Sequence, residues 1–410
     1  MARSRQQAPA GPGGAAAPHR PGGPAGTGTV TATAPDGAVV AVEHLTVAFP
    51  ARTGGGEVVR DVSFAVNPGE RIGLVGESGS GKSMTARAIM QLIPKPGRVA
   101  SGRVMLLGTE LGADPKVAAS SWRGTTLSMI TQDPLSSLNP LVRIGTQMTE
   151  MLRFHRGLGR AAATARAREL LASVGIPDPA RTLSQFPAVL SGGMRQRVAL
   201  AIAVSCEPRL LIADEPTTAL DVTIQAQVLD LLERLTAEQG SAVLLISHDL
   251  GVVASFCDRL MVMYGGRIVE SGPTAQIIGA PAHPYTRALM ASVPSMTGDL
   301  PDRLASIPGS PPAGGVWSTG CAFMPRCPIA RAVCATVDPA LLTLSGAAEP
   351  AAGDGAASQG AADQGAADQG AADQGAADQG AADQGTGTDE AVQHAAACHA
   401  SQNESWGRAA

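Results

Sequence analysis

Long apolar runs are absent from this 410-residue chain: the longest uninterrupted one covers residues 198–204, far below the roughly 18 needed to cross a bilayer. A membrane-spanning helix is therefore excluded, and any membrane role must come through partners. Arg3 and Arg5 are not followed by an apolar stretch, so no secretory leader is read and a cytoplasmic protein is expected. Disulfides are disfavoured in that compartment. Cysteine is scarce, at six, yet Cys321, Cys327 and Cys334 fall within fourteen positions. Aromatic residues make up only 3% of the chain.

Lysine and arginine are missing from residues 332 to 407, which hold eleven acids, so residues 1 to 331 carry 30 Lys and Arg against 24 acidic groups. That surplus of six suits a nucleotide or an anionic surface and falls short of a nucleic-acid-binding signature. Bulky apolar side chains are scarce in one stretch and missing from another. Residues 1–36 are mostly Ala, Gly, Pro and Thr, and residues 361–385 repeat AADQG five times. Neither composition buries enough apolar surface to offset chain entropy, and a period of five fits no helix or strand, so a disordered tail and a disordered insert over 346–390 are expected.

The remaining chain is rich in local signals. RIGLVGESGSGKSMTARAIM, residues 71–90, runs from an apolar strand through a glycine-rich turn into a helix and matches G-x-x-x-x-G-K-[ST]. Its glycines let the backbone curl so that successive N–H groups, with a helix N-terminus behind them, face a phosphate. The candidate contacts are Gly76, Glu77, Ser78, Gly79, Ser80, Gly81, Lys82, Ser83 and Met84. Lys82 would reach the β and γ phosphates and Ser83 would give its hydroxyl to Mg²⁺. Kinases, motors, GTPases and transporters share such loops, so the loop alone names no function.

RLLIADEPTTALD, residues 209–221, is a buried-strand pattern ending in two carboxylates. Asp214 is the candidate metal ligand and Glu215 the candidate acceptor of a proton from attacking water. SAVLLISHDL repeats the design, delivering His248 at a strand end, where it would contact the γ phosphate and help to place the water. Ligands of open parallel sheets bind beyond the carboxyl ends of the strands, so Ser83, Asp214 and His248 should converge.

VLSGGMRQRVALAIAV, residues 189–204, contains LSGGMRQR, which resembles the signature motif of ATP-binding cassette (ABC) ATPases. Physically, Ser191, Gly192 and Gly193 open a helix and make a second anion-binding N-terminus. The resemblance runs almost continuously over residues 40–295. It implies an α/β fold: a P-loop NTPase of ABC type with a RecA-like core, an antiparallel β subdomain and a helical signature subdomain. The expected division is an ATPase domain over 37–295, its helical part at about 134–205, and a C-terminal cysteine region built from 296–345 with 391–402. The resemblance also implies ATP and Mg²⁺ as ligands and a dimer in which each signature closes on the other subunit's ATP. It assigns Gln132 to the Q-loop near the metal, Asp221 to the dimer seam, and Phe49 to base stacking, with a core role for Phe49 left open.

QDPLSSLNP, EPTTALDVTIQAQVL, HPYTRAL and GCAFMPRCPIARAVC resemble the ATPase subunits of bacterial oligopeptide and dipeptide importers, which include nickel importers. The implied partners are two transmembrane permease subunits, a second ATPase subunit forming a heterodimer, and an extracytoplasmic solute-binding protein, with no nucleic acid. The implied place is the cytoplasmic face of the cell membrane. In that group four cysteines hold a [4Fe–4S] cluster, which here would be Cys321, Cys327, Cys334 and Cys398. Their spacing by itself leaves a cluster, zinc and no metal all open. Cys206 and Cys257 sit in apolar runs and read as core filling. The rival functions are a soluble ABC ATPase acting on ribosomes or DNA, which would normally carry a second cassette or a long coiled coil, and a non-hydrolysing subunit, which Glu215 and His248 argue against.

Overall fold

The computed structural model describes residues 37–50, 55–112, 121–132, 137–217, 222–292, 306–312, 317, 319–344, 393–399 and 401. The expectations for the 1–36 tail, the 346–390 insert and Asp221 lie outside them. In chain order the strands are β1 (Val40–Ala48), β2 (Glu57–Val66), β3 (Arg71–Val75), β4 (Arg98–Leu106), β5 (Thr109–Glu110), β6 (Leu127–Ile130), β7 (Leu210–Asp214), β8 (Ala242–Ser247), β9 (Arg259–Tyr264), β10 (Arg267–Pro273), β11 (Leu342–Thr343) and β12 (Ala395–Ala396). The helices are α1 (Lys82–Ile89), α2 (Ile144–Arg156), α3 (Arg160–Ser173), α4 (Pro179–Ser184), α5 (Gly192–Val204), α6 (Val222–Gln239), α7 (Leu250–Phe256), α8 (Thr274–Gly279), α9 (Pro284–Ala291) and α10 (Val333–Thr336).

Strands β6, β7, β8, β3 and β9 pair in parallel and run from one edge into the middle of an eight-stranded sheet. Strands β7 and β8 are buried along their whole length, which is why LLIAD and AVLLIS are continuous apolar runs without alternation. The register levels their carboxyl ends. Val75 faces both Ser247 and Val262 across the pairs, and Asp214 faces Ile246. The chain segments leaving β3, β7 and β8 therefore open onto one edge, as the crevice rule requires.

A second sheet, ordered β2-β1-β4-β5, is antiparallel. In β2, Val62, Phe64 and Val66 alternate inward at a period of two and pack with Ala86 and Ile89 of α1. Helices α2 to α5 share one apolar cluster with a face of the large sheet. Ile144, Met148 and Leu152 recur every four residues on α2 and meet Ala163, Ala167 and Leu171 of α3. Alanines on that face let the two helix axes come close.

The far edge of the large sheet holds an element that the sequence reading did not contain. Residues 393–399 return from beyond the repeat as β12, which pairs antiparallel with both β10 and β11. Glu270 of β10 is wholly buried there, where an unpaired carboxylate would be very costly. It accepts hydrogen bonds from the N–H groups of Ala282 (2.7 Å) and His283 (2.9 Å), and His394 Nε2 lies 2.7 Å from it. Burial alone would push the Glu270 carboxyl up, but these partners outweigh it and hold it below the usual range.

Candidate functional site

The loop between β3 and α1 takes its shape from glycine. Gly76 has φ +151°, and a Cβ there would meet the Met263 carbonyl oxygen at 2.1 Å. Gly81 caps α1 at φ +108°, with the Val58 carbonyl oxygen 2.7 Å from where a Cβ would stand. Both positions require glycine. Ser78 and Gly79 are exposed at the crest, Ser80 is buried beneath it, and Met84 is half-buried against the β core. Lys82 folds back so that its Nζ donates to the carbonyls of Gly76 (2.7 Å) and Glu77 (3.0 Å). Burial pushes the Lys82 ammonium down, while Glu215, Asp214 and Glu77 pull it up. The lysine thus stands as a cation between the loop and a group of acids.

Those acids lie at the strand ends. Asp214 is buried, and its Oδ1 accepts from Ser83 Oγ at 2.9 Å. Burial raises its carboxyl and the Ser83 hydrogen bond opposes the rise. The next residue, Glu215, adopts the left-handed φ of +49°, and its N–H donates to the Ile246 carbonyl at 2.9 Å. This is a strained conformation of the kind found at functional sites. It turns the side chain out of the strand, so that Glu215 Oε2 accepts from Gln132 Nε2 at 2.8 Å and lies 3.4 Å from His248 Nδ1. Ser83, Gln132, Asp214, Glu215 and His248 come from four separate segments and meet beside the loop.

The other assigned residues are placed as follows. Ser191 caps α5, its Oγ accepting from the Met194 N–H at 3.3 Å. A Cβ on Gly192 would meet nothing within 4 Å, and one on Gly193 only Ile224 at 3.4 Å. The N-terminus of that helix is open. Phe49 is half-buried at the margin of the β core, with its ring against Gly97, where a Cβ would meet it at 2.6 Å. It is packed as a core residue on that side.

In the C-terminal region, Cys321, Cys327, Cys334 and Cys398 line one cavity of about 20 Å³ together with Phe323 and His399. Cys398 is brought there by β12, and the Cys321 N–H donates to the Cys334 carbonyl at 2.8 Å. Desolvation pushes the Cys321 thiol up to about 11 and raises Cys327 as well. Among the described residues no three His, Cys, Asp or Glu side chains stand close enough together to hold a single metal ion. Cys206 and Cys257 are buried in core as expected.

Two contacts with Glu77 had no sequence signal. Its N–H donates to Tyr285 Oη at 2.7 Å, and its carboxylate receives both arms of Arg326, at 2.6 and 2.9 Å. These partners lie 208 and 249 positions away. HPYT itself is a cap: His283 Nδ1 accepts from the Tyr285 N–H at 3.0 Å, Tyr285 is fully buried, and Leu289 and Met290 pack onto the core.

A glycine cradle with its lysine, a serine bonded to a strand-end aspartate, and an adjacent glutamate met by glutamine and histidine together define an ATP-binding cassette. Comparison with known proteins agrees. The family profile described as ABC transporter matches residues 59–218, and that described as the oligopeptide/dipeptide transporter C-terminal region matches residues 269–334. A putative peptide import ATP-binding protein of Brucella abortus (strain 2308) is 46% identical over 319 residues, covering 75% of this chain and 94% of that protein. Another, of Brucella suis biovar 1 (strain 1330), is 47% identical over 307 residues, covering 74% and 91%. A dimeric ATP-binding cassette in a post-hydrolysis state, bound to ADP and Pi, superposes with a TM-score of 0.52 at 26% identity, over 57% of this chain and 98% of the other. The chain belongs to the ABC transporter family and is its ATP-hydrolysing, ATP-binding subunit. Among the described residues no helix is long and apolar enough to cross a membrane.

Proposed function

We propose that the protein energises a membrane importer of dipeptides, oligopeptides or related small solutes, working at the cytoplasmic face of the membrane through two permease subunits and with an external solute-binding protein. The observation that carries the ATPase half is the meeting of Ser83, Asp214, Glu215, Gln132 and His248 beside the loop. The import half is supported by the C-terminal region and by the activity named for the relatives.

Those backbone N–H groups between Gly76 and Met84 that are not bonded within the fold cradle the phosphates, and Lys82 turns from its loop carbonyls to the β and γ oxygens. Ser83, Asp214 and Gln132 offer the hard oxygen donors that Mg²⁺ takes, and the ion would neutralise charge on the phosphates. Glu215 accepts the proton of the attacking water, and His248 and Gln132 fix where that water stands. Ser191, Gly192, Gly193 and Asp221 complete the site of a second, different ATPase subunit, and Phe49 borders the base. Positioning and electrostatics supply most of the acceleration, because phosphoryl transfer asks for little covalent chemistry from the protein. The domain division expected from sequence goes with this reading.

The lining of one cavity by Cys321, Cys327, Cys334 and Cys398, together with the importer-type C-terminal region, supports reading them as ligands of a [4Fe–4S] cluster. A cluster would serve as a staple, joining the segment carrying Cys398 to that carrying Cys321, Cys327 and Cys334. The test of the whole reading is ATP-dependent uptake of labelled dipeptides by vesicles holding the full chain, its permease pair and its partner ATPase. Uptake that stops with Glu215→Gln supports it; hydrolysis without uptake of any dipeptide, oligopeptide or nickel ion overturns the import half.

A further inference from the structure

Glu77 is an acid in the wrong place. It directly follows Gly76 in the phosphate loop, and a free carboxylate there would repel a bound triphosphate. Burial pushes the Lys82 ammonium down, and Glu77 joins Glu215 and Asp214 in opposing that push. Something must cancel that charge, and the loop itself contains no second cation.

The cancelling group comes from the cysteine region. Arg326 is only 8% exposed, and its guanidinium meets the Glu77 carboxylate with both arms, Nη1 to Oε2 at 2.6 Å and Nη2 to Oε1 at 2.9 Å. The remaining directions of the fork are also used. Nε donates to the Pro308 carbonyl at 2.8 Å, Nη1 to Tyr264 Oη at 3.3 Å, and Nη2 to the Ile307 carbonyl at 3.4 Å. A planar guanidinium satisfied on every side is fixed in place, so this arginine is not free to swing onto a phosphate. Tyr285 holds the other end of the same residue by accepting the Glu77 N–H.

We propose that Arg326 is a positioning residue of the nucleotide site: it neutralises Glu77 and turns it away from the phosphate cradle, so that the folded cysteine region sets the affinity of the loop for ATP. This goes beyond the proposed function and rests on its ATP-binding half. Arg326 directly precedes Cys327, and Cys327 lines the four-cysteine cavity. A change of shape in that cavity therefore reaches the phosphate loop through one residue.

The test uses the full chain and a non-hydrolysable MgATP analogue, with affinity read by titration and folding by thermal unfolding. Arg326→Met uncovers the carboxylate and should bind about tenfold more weakly, the scale of a lost charged hydrogen bond. Adding Glu77→Gln to Arg326→Met should recover most of that loss, since the repelling charge has gone. Arg326→Lys keeps the charge without the fork and should fall between wild type and Arg326→Met. In turnover, the KM for ATP should rise while kcat stays near that of wild type. Unchanged affinity in Arg326→Met overturns the proposal. So does a loss that Glu77→Gln fails to recover, because Arg326 would then serve folding alone. Failure of the wild type itself to bind the analogue would bring down the ATP-binding reading and this inference with it, whereas the first two results leave that reading standing.

Discussion

Gln132 Nε2 donates to Glu215 Oε2 at 2.8 Å, joining residues 83 positions apart across neighbouring parallel strands. Gln132 follows β6 and Glu215 follows β7, and these strands pair from Leu127–Leu210 to Ile130–Ala213. The hydrogen bond is a consequence of the sheet register: a slip by one residue would turn both side chains away. It also keeps the carboxylate pointed at the crevice, where His248 approaches from the end of β8.

Glu215→Gln should keep nucleotide affinity and lose turnover. The amide preserves size and can still accept from Gln132, but it cannot take a proton from water, and a positioned general base contributes roughly 10²–10⁴-fold. Steady-state phosphate release by the assembled complex should fall by that range, with an ATP-bound closed dimer accumulating. Near-normal release would show that another group is the base.

Lys82→Ala should weaken binding itself. The substitution removes the ammonium that Glu215, Asp214 and Glu77 surround and leaves Asp214 and Glu215 beside the phosphates without it. The loss should exceed that of one charged hydrogen bond, on the order of 1.5–3 kcal/mol or about 10- to 100-fold in affinity. Titration with a non-hydrolysable analogue measures it, and unchanged affinity would mean that the lysine never leaves its loop carbonyls.

The parts of this site legible in the sequence are those whose chemistry is written locally. GESGSGKS carries its strand, turn and helix in a single run, and LLIADE carries both the burial and the charge at its end. The parts that were not legible depend on distant partners. Nothing near Arg326 shows that it serves Glu77. The two-residue strand β12 lies in AVQHAAACHA, where alanines give no strand pattern; only β10 and β11 on either side make it a strand. Phe49 could be marked as an aromatic near the base, but its packing against Gly97 was set by a strand still to come in the chain.

Stability should fall in mild acid because of His283. The ring is buried, its Nδ1 accepts the Tyr285 N–H, and burial pushes its pKa down from 6.5 to about 4, against the pull of Glu270. Between those values the unfolded chain binds a proton that the folded chain refuses, so stability is complete above about pH 6.5 and declines as the pH drops through about 4. The full loss is on the order of 3 kcal/mol. Asparagine can cap a helix and does not titrate, so His283→Asn should flatten the profile between pH 6.5 and 4.5. Denaturant unfolding over that range is the measurement, and an equal slope in both proteins would assign the titration elsewhere.

The last prediction separates Cys398 from the repeat that precedes it. The two ends of the long connection are already side by side, for the Leu344 N–H donates to the His394 carbonyl at 2.9 Å and Leu342 pairs with Ala396. A connection whose ends meet can be shortened without pulling on either. Deleting residues 361–385 removes about half of the residues between those ends, and halving a loop changes its closure entropy by only about 0.6 kcal/mol. The deletion should leave iron content and ATPase rate at their wild-type values. Cys398→Ser removes the cysteine that the segment following β12 brings to the cavity and, if the four cysteines hold a cluster, should lower iron and acid-labile sulfide together in protein purified without oxygen. Four irons and four sulfides in both wild type and deletion, with less of each in Cys398→Ser, is the expected pattern. Stoichiometric zinc would replace the cluster with a single-ion site. Iron loss on deleting the repeat would mean that residues 361–385 hold Cys398 in place and are more than a connection.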